Sequence, residues 1–341
     1  MRLATVVADS LLNKFKTKGK ILAAFWQVVS QYETILVIRF PPVFEKFARW
    51  LSSLTNLDAL KLVSFSCLKR TNFHWKLVFS TLVPISFMIA VVVWFQFRKF
   101  KLQKGQVLKM PWQSAKEVKL TDEQKKAKKQ RITEDSYTAV LAITYLVFAS
   151  VSTIISKTFH SKQYGDDPVR YLVADPQVDC DSDTHKFYSA YATVMIFVYP
   201  LGITLLYMYL LVKNRKELKC HEGRHDSAKL RPIAFLWQAY EPRWWWFEIF
   251  ENARRLMMTG GLVFVNPGST TQIVVAMLVS ILSIILYSST RPYDHDSDDT
   301  LAVVSQWSIF FTLFGALLLR QELDKEEHLN LEVSSVVACG G

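Results

Sequence analysis

Glycine and proline are scarce, 11 of each in 341 residues, so neither a collagen-like nor a low-complexity disordered chain fits this composition. Cysteine is scarcer: the four present show no C-x-x-C spacing, which argues against a zinc ribbon or a thioredoxin-like motif. No nucleophile elbow, phosphate loop, zinc-protease helix or kinase signature occurs. An enzyme is therefore not expected, and no cofactor or metal is implied. Met1–Gly19 lacks an apolar run of useful length, so no cleavable signal peptide is visible.

What is abundant is apolar length. Half the residues are hydrophobic, 13% are aromatic and the mean hydropathy is +0.14. The apolar residues come in blocks of about 20, the length that crosses about 30 Å of hydrocarbon. A net charge of +11 could suggest nucleic acid, but the basic residues lie between the blocks and no stacking platform or reading helix accompanies them. A lipid bilayer is the expected partner instead. The fold class is an all-α, polytopic transmembrane helical bundle of six or seven spans.

Met1–Lys20 carries Arg2, Lys14, Lys16, Lys18 and Lys20 against Asp9, as a basic juxtamembrane segment would. Residues 21–39 are long enough to span, yet Gln27, Ser30, Gln31 and Glu33 make the middle expensive in lipid. Both a helix packed inside the bundle and an interfacial helix remain open. Pro41 and Pro42 end it, and Phe44–Arg70 reads as short interfacial helices. Confident spans are expected at 75–97, 137–156, 187–212, 270–289 and 301–319, with a polar tail over 321–341. Pro84 should kink the first of these, and Pro200 with Gly202 should break the third at mid-depth.

One further span, 244–265, differs from the rest. In the stretch YEPRWWWFEIFENARRLMMTGGLVFV three tryptophans stand where a chain enters a bilayer. Glu248, Glu251, Arg254 and Arg255 follow, all within roughly a third of the helix circumference at 100° per residue. Such a face cannot look at lipid and must look into a bundle or at water. Glu251 and Arg255 stand at i,i+4 in the favourable order. They are expected to pair close to the cytoplasmic interface, with Glu248 and Arg254 alongside. An adjacent Arg pair lacks the every-third-residue repeat of a voltage sensor, so a salt-bridge cluster is the better reading.

Sidedness follows from Lys and Arg counts. Met1–Lys20, loops 98–136 and 213–243 and the Arg291 loop together hold 26, against 11 on the other side. The first set is therefore cytoplasmic, although Phe40–His74 is itself basic and Arg291–Asp299 acidic. Loop 98–136 holds twelve Lys or Arg against five acids and is expected to face anionic lipids. Cys67 and Cys180 fall on the opposite, oxidising side, where a disulfide is allowed. Two free thiols are the alternative. Cys220, His221 and His225 lack a fourth metal ligand. Asp294, Asp296 and Asp298 alternate as in a calcium loop, but Asp299 replaces the required Gly and Ser305 the required Glu. A solvated turn that caps the next helix through Asp299 or Thr300 is expected instead.

Several of these stretches together resemble the membrane region of transient-receptor-potential-like (polycystin-like) proteins of protists and algae. They are KILAAFWQVVSQ at Lys20–Gln31, the stretch up to Cys67, VMIFVYPLGI at Val194–Ile203, the Tyr240 stretch and RPYDHDSDDTLAVVSQWSIFF at Arg291–Phe311. The resemblance covers most of Lys20–Leu319. It implies a channel-like fold, a plasma-membrane location, and an ion channel or sensor subunit that could be a homo-oligomer. Such relatives commonly carry a large extracellular region before the membrane part, whereas this chain starts just before its first helix. No selectivity-filter ring stands between Thr270 and Leu319. Pro84 and the Pro200–Gly202 break also suit a transporter or lipid-handling protein, and a non-conducting receptor-like fragment is a third reading.

Cysteines introduced at Ser114 and Gln163 should react with impermeant reagent from opposite faces of the membrane. Labelling of both from one face would overturn the sidedness.

Overall fold

A computed structural model describes residues 2–36, 46, 72–103, 121–163, 169–220, 224 and 227–339, with side chains over all but 2–14, 33–34 and 322–339 of these. The elements run α1 (Arg2–Ile35), α2 (Phe73–Gln103), α3 (Asp122–Lys157), strands β1 (Ser161–Gln163), β2 (Arg170–Leu172) and β3 (Asp175–Asp179), then α4 (Asp183–Val198) and α5 (Pro200–Lys213). Single turns α6 (Arg215–Leu218) and α7 (Ala234–Trp237) lead to α8 (Phe247–Met258), α9 (Thr270–Thr290) and α10 (Asp296–Cys339). Among the described residues, five helices are long and apolar enough to cross a membrane: α2, α3, α4 with α5 taken together, α9, and Asp296–Gln321 of α10. These coincide with the five confident spans of the sequence. The polar tail does not leave the helix, because α10 continues to Cys339.

The basic run Lys125–Arg131 is not loop but the first turns of α3. A helix can start there because the Thr121 N–H donates to Gln124 Oε1 at 3.1 Å, and Asp122 and Glu123 sit in the first turn, where negative charge opposes the helix dipole. The acidic loop after α3 holds a three-stranded antiparallel sheet in the order β1-β2-β3, a departure from an all-helical chain. Arg170 holds it to Asp181 at 2.6 Å. Short strands form there because the segment lies beyond the apolar blocks, where Val, Tyr and Leu around Arg170 favour extended backbone.

Pro84 lies inside α2, and the Tyr199 hydroxyl donates to the Thr81 carbonyl at 2.5 Å, next to the carbonyl that the missing proline N–H leaves unpaired. The break at Pro200 is present: α4 ends at Val198, Tyr199 bends with φ −93° and ψ −76°, and α5 starts at Pro200. Gly202 is required by this bend, since a Cβ there would stand 2.5 Å from the Phe197 carbonyl oxygen.

The expected span 244–265 is not one helix. It runs as a 3-10 turn (Pro242–Trp244), α8, and a second 3-10 turn (Gly261–Phe264). Phe247 packs on Tyr287, and Gln272 Nε2 donates to the Leu262 carbonyl at 2.7 Å, so the segment lies antiparallel along the whole of α9. Asn266, with φ 38°, and Gly268, with φ 74°, turn the chain into α9. Beside the hairpin runs α1. Lys18 meets Asp298 at the start of α10, while Ile35 and Leu36 share a cluster with Leu313 and Ala316. Residues 21–36 therefore lie within the bundle alongside α10 rather than flat across its end. The helix passes the 20/21 boundary without interruption. Phe44–Arg70 and Cys67 lie outside the described residues.

Gly202→Ala should destabilise the protein by about 1–3 kcal/mol, the usual range for an overpacked position, because backbone rather than a movable side chain stands in the way. Denaturant unfolding in mixed micelles reads this directly. A variant as stable as the parent would mean that the bend is adjustable.

Candidate functional site: a buried charge cluster

The segment before α8 is pinned first. Arg224 is buried and donates to the carbonyls of Trp237 at 2.7 Å and Tyr240 at 3.0 Å. The Glu241 N–H donates to the Pro292 carbonyl, and the Asp294 N–H to that of Ala239. This fixes where the three tryptophans end and α8 begins. From there α8 turns Glu248, Glu251, Asn252, Arg254 and Arg255 into the bundle, all at most 4% exposed, and leaves Met257 outside.

Nearest the α9–α10 turn, the Glu248 Oε2 atom accepts from Lys20 at 2.5 Å and from the Tyr240 hydroxyl at 2.8 Å. The Lys20 ammonium also donates to the Phe235 carbonyl at 2.9 Å and lies 4.6 Å from the Phe235 ring centroid. One turn deeper, Glu251 is held end-on by Arg254. Nε donates to Oε2 at 3.0 Å and a terminal nitrogen to Oε1 at 2.7 Å. Such two-pronged pairs are the strong kind. The Tyr287 hydroxyl donates to the same carboxylate, and Arg254 reaches Gln306 Oε1 at 3.2 Å. The Gln306 carbonyl in turn accepts from Ser280, which stands midway along the 21-residue α9. At 1.5 Å per residue this point is about 15 Å from either end of the helix.

Arg255 points elsewhere. It donates to Gln27 Oε1 at 2.8 Å and Asn252 Oδ1 at 2.7 Å, and its guanidinium lies 3.9 Å from the Tyr145 ring centroid. Its distance to Glu251 is 4.0 Å. One correction follows. The expected Glu251–Arg255 pair is marginal and the tight partner is Arg254, because consecutive helix positions diverge by about 100° and only one arginine can approach the carboxylate squarely. Along the bundle, the cluster extends from the end of α9 to a level near its middle.

Together Lys20, Arg254 and Arg255 oppose Glu248 and Glu251, leaving the buried set with one excess cation. Among the described residues, Glu248 Oε1 and Arg255 Nε make no hydrogen bond. The ring of neutral partners was not assembled from the sequence: Gln27, Tyr145, Asn252, Tyr287 and Gln306 come from five different helices. Gln27 in α1 and Gln306 in α10 carried the available signal, each being a polar residue inside an apolar run.

The remaining candidates lie apart from this site. Cys180 is half-buried and carries a free thiol, Cys220 is exposed and free, and the proposed partner Cys67 is outside the described residues, as are His221 and His225. The acidic turn is shorter than expected, Asp298 and Asp299 are buried rather than solvated, and neither Asp299 nor Thr300 is the first residue of the next helix. Instead α10 starts at Asp296 with three acids in its first turn, and the Asp299 carboxylate accepts from the Tyr293 N–H at 3.0 Å. A second polar pair, His74 Nε2 with His185 Nδ1 at 3.2 Å, joins α2 to α4 beside the sheet. No protein-family model, curated protein or solved structure matches the chain.

An exposed ion pair gives about 0–1 kcal/mol, whereas loss of one partner of a buried pair costs about 3–5 kcal/mol. Burial here places Glu251→Gln in the second class. A double-mutant cycle of Glu251 with Arg254 should give a coupling of about 2–3 kcal/mol, and that of Glu251 with Arg255 less than about 1 kcal/mol. Equal couplings, measured by unfolding in micelles, would refute the assignment of partners.

Proposed function

We propose that this integral membrane protein is a subunit of a TRP-like ion channel or sensor, with α1 and the 244–265 segment joining the five apolar helices as further crossings. The observation that carries the proposal is the depth of the charge cluster. Ionisable groups inside a membrane bundle are costly and as a rule functional. Here they tie α1, α3, α8, α9 and α10 to one another. A shift of α8 relative to its neighbours would exchange these pairs, as a gate or sensor requires. The cluster ties the helices together inside one chain, so a conducting path is best placed between copies. The outward apolar residues Trp307, Phe311 and Phe314 of α10 suit contact with a second copy as well as with lipid. Plasma membrane is the location that goes with this reading, and the exposed basic turns of α3 suit anionic lipid on its cytoplasmic face.

A transporter or lipid-handling protein is the second reading. The interruptions at Tyr199 and at Thr259–Gly260 favour it, because broken helices near mid-membrane build such sites.

Purified protein reconstituted into planar bilayers should give discrete current steps, and Arg254→Gln should alter their open probability. Protein that is folded and inserted yet silent across voltage, tension and divalent cations would sink the channel reading.

A further inference from the structure

At the end of the bundle that carries Lys16, Lys18 and Lys20, a cavity of about 880 Å³ opens between α1, α3, α7 and the loop before α10. Its size is at the upper end of what small-molecule sites occupy, about 300–1,000 Å³. The lining is divided by polarity. Ala142 and Leu146 of α3 and Phe235 of α7 make an apolar wall, while Lys16, Lys20 and His295 supply polar nitrogen.

Lys20 also belongs to the buried charge cluster. An ammonium has three N–H donors, and those of Lys20 go to the Phe235 carbonyl and to Glu248 Oε2. The third has no acceptor among the described residues. The cluster behind it carries one excess cation, and the Lys20 side chain keeps 11% of its exposure. Two acids also line the cavity, and one of them is ion-paired. Asp298 is bound by Lys18 at 2.7 Å, while Asp294 feels the Arg224 guanidinium only through longer-range attraction.

We propose that this cavity binds an anionic lipid, with its acyl chain along Ala142, Leu146 and Phe235 and its carboxylate or phosphate against Lys16 and Lys20. An anion alone would not use the apolar wall, and a neutral lipid would leave the Lys20 donor and the excess charge uncompensated. The site is separate from the exposed basic turns of α3, which offer charge without a cavity. Because the headgroup would compete with Glu248 for Lys20, lipid occupancy is coupled to the charge cluster, whether or not the protein conducts.

The test uses the full chain in phosphatidylcholine nanodiscs with three diazirine-bearing probes: palmitic acid, phosphatidic acid and palmityl alcohol. Both acids should crosslink to Thr138–Leu146 and Ala234–Ala239, with the alcohol labelling about tenfold less, the loss expected on removing a charge-assisted contact. Ala142→Trp should fill the cavity and abolish labelling. Lys16→Gln, at an exposed position, should reduce labelling by the acids severalfold and leave the alcohol unchanged. The proposal is overturned if the alcohol labels as well as the acids, or if Ala142→Trp changes nothing. Labelling by only one acid identifies the headgroup, carboxylate or phosphate, and supports the site. Displacement of the probes by inorganic phosphate would make this a soluble anion's site and overturn the lipid assignment.

Discussion

A carboxylate cannot be left in an apolar bundle without a cation and hydrogen-bond donors around it, and much of this architecture follows from that constraint. Glu251 takes both prongs of Arg254 and the Tyr287 hydroxyl. Arg254 in turn needs Gln306, and the Gln306 backbone receives Ser280. Each requirement draws in another helix. Arg255 finds no carboxylate of its own and settles on amide oxygens and the face of Tyr145, which serve a delocalised cation in place of water. Removing any one member would leave its neighbours as uncompensated buried polar groups.

The helices accordingly divide into two kinds. On the outside, α2, α4 with α5, α9 and α10 present large apolar side chains such as Trp94, Phe197, Leu282 and Phe311, and their composition alone would carry them into a bilayer. Inside, α1 and α8 are too polar to face lipid, and they are shielded by the first kind. Interior polar contacts also hold the outer helices in place. The Tyr207 hydroxyl lies 2.9 Å from Thr144 Oγ1, and the Tyr199 hydroxyl reaches the Thr81 carbonyl one turn before Pro84. Such contacts are individually modest in membranes, about 0.6 kcal/mol on average, so it is their number and the charged pairs that fix the arrangement.

Lys20 is where the buried cluster meets the outside. It holds Glu248 on one side and lines the cavity on the other. A change in the electrostatic surroundings of the cavity is therefore felt by Glu248 directly, and by the deeper pairs through the shared face of α8.

By itself the sequence determined the largely helical class, the five helices long and apolar enough to cross a membrane, the break at Pro200–Gly202, and the fact that the Glu248–Arg255 face turns inward. Those properties depend on local composition, on proline geometry and on the expense of charge in lipid, all of which act within a single segment. Only the tertiary structure decided that Glu251 belongs to Arg254, that the cluster reaches the middle of α9, and that residues 21–36 lie inside the bundle. It also replaced one expected helix over 244–265 with two 3-10 turns around α8. Partners such as Gln27, Tyr145, Tyr287 and Gln306 are separated from α8 by up to hundreds of residues along the chain. Nothing local distinguishes a tyrosine that will donate to a buried carboxylate from one that will face a headgroup. Helical spacing shows which residues share a face, but what stands opposite that face depends on how the other helices pack.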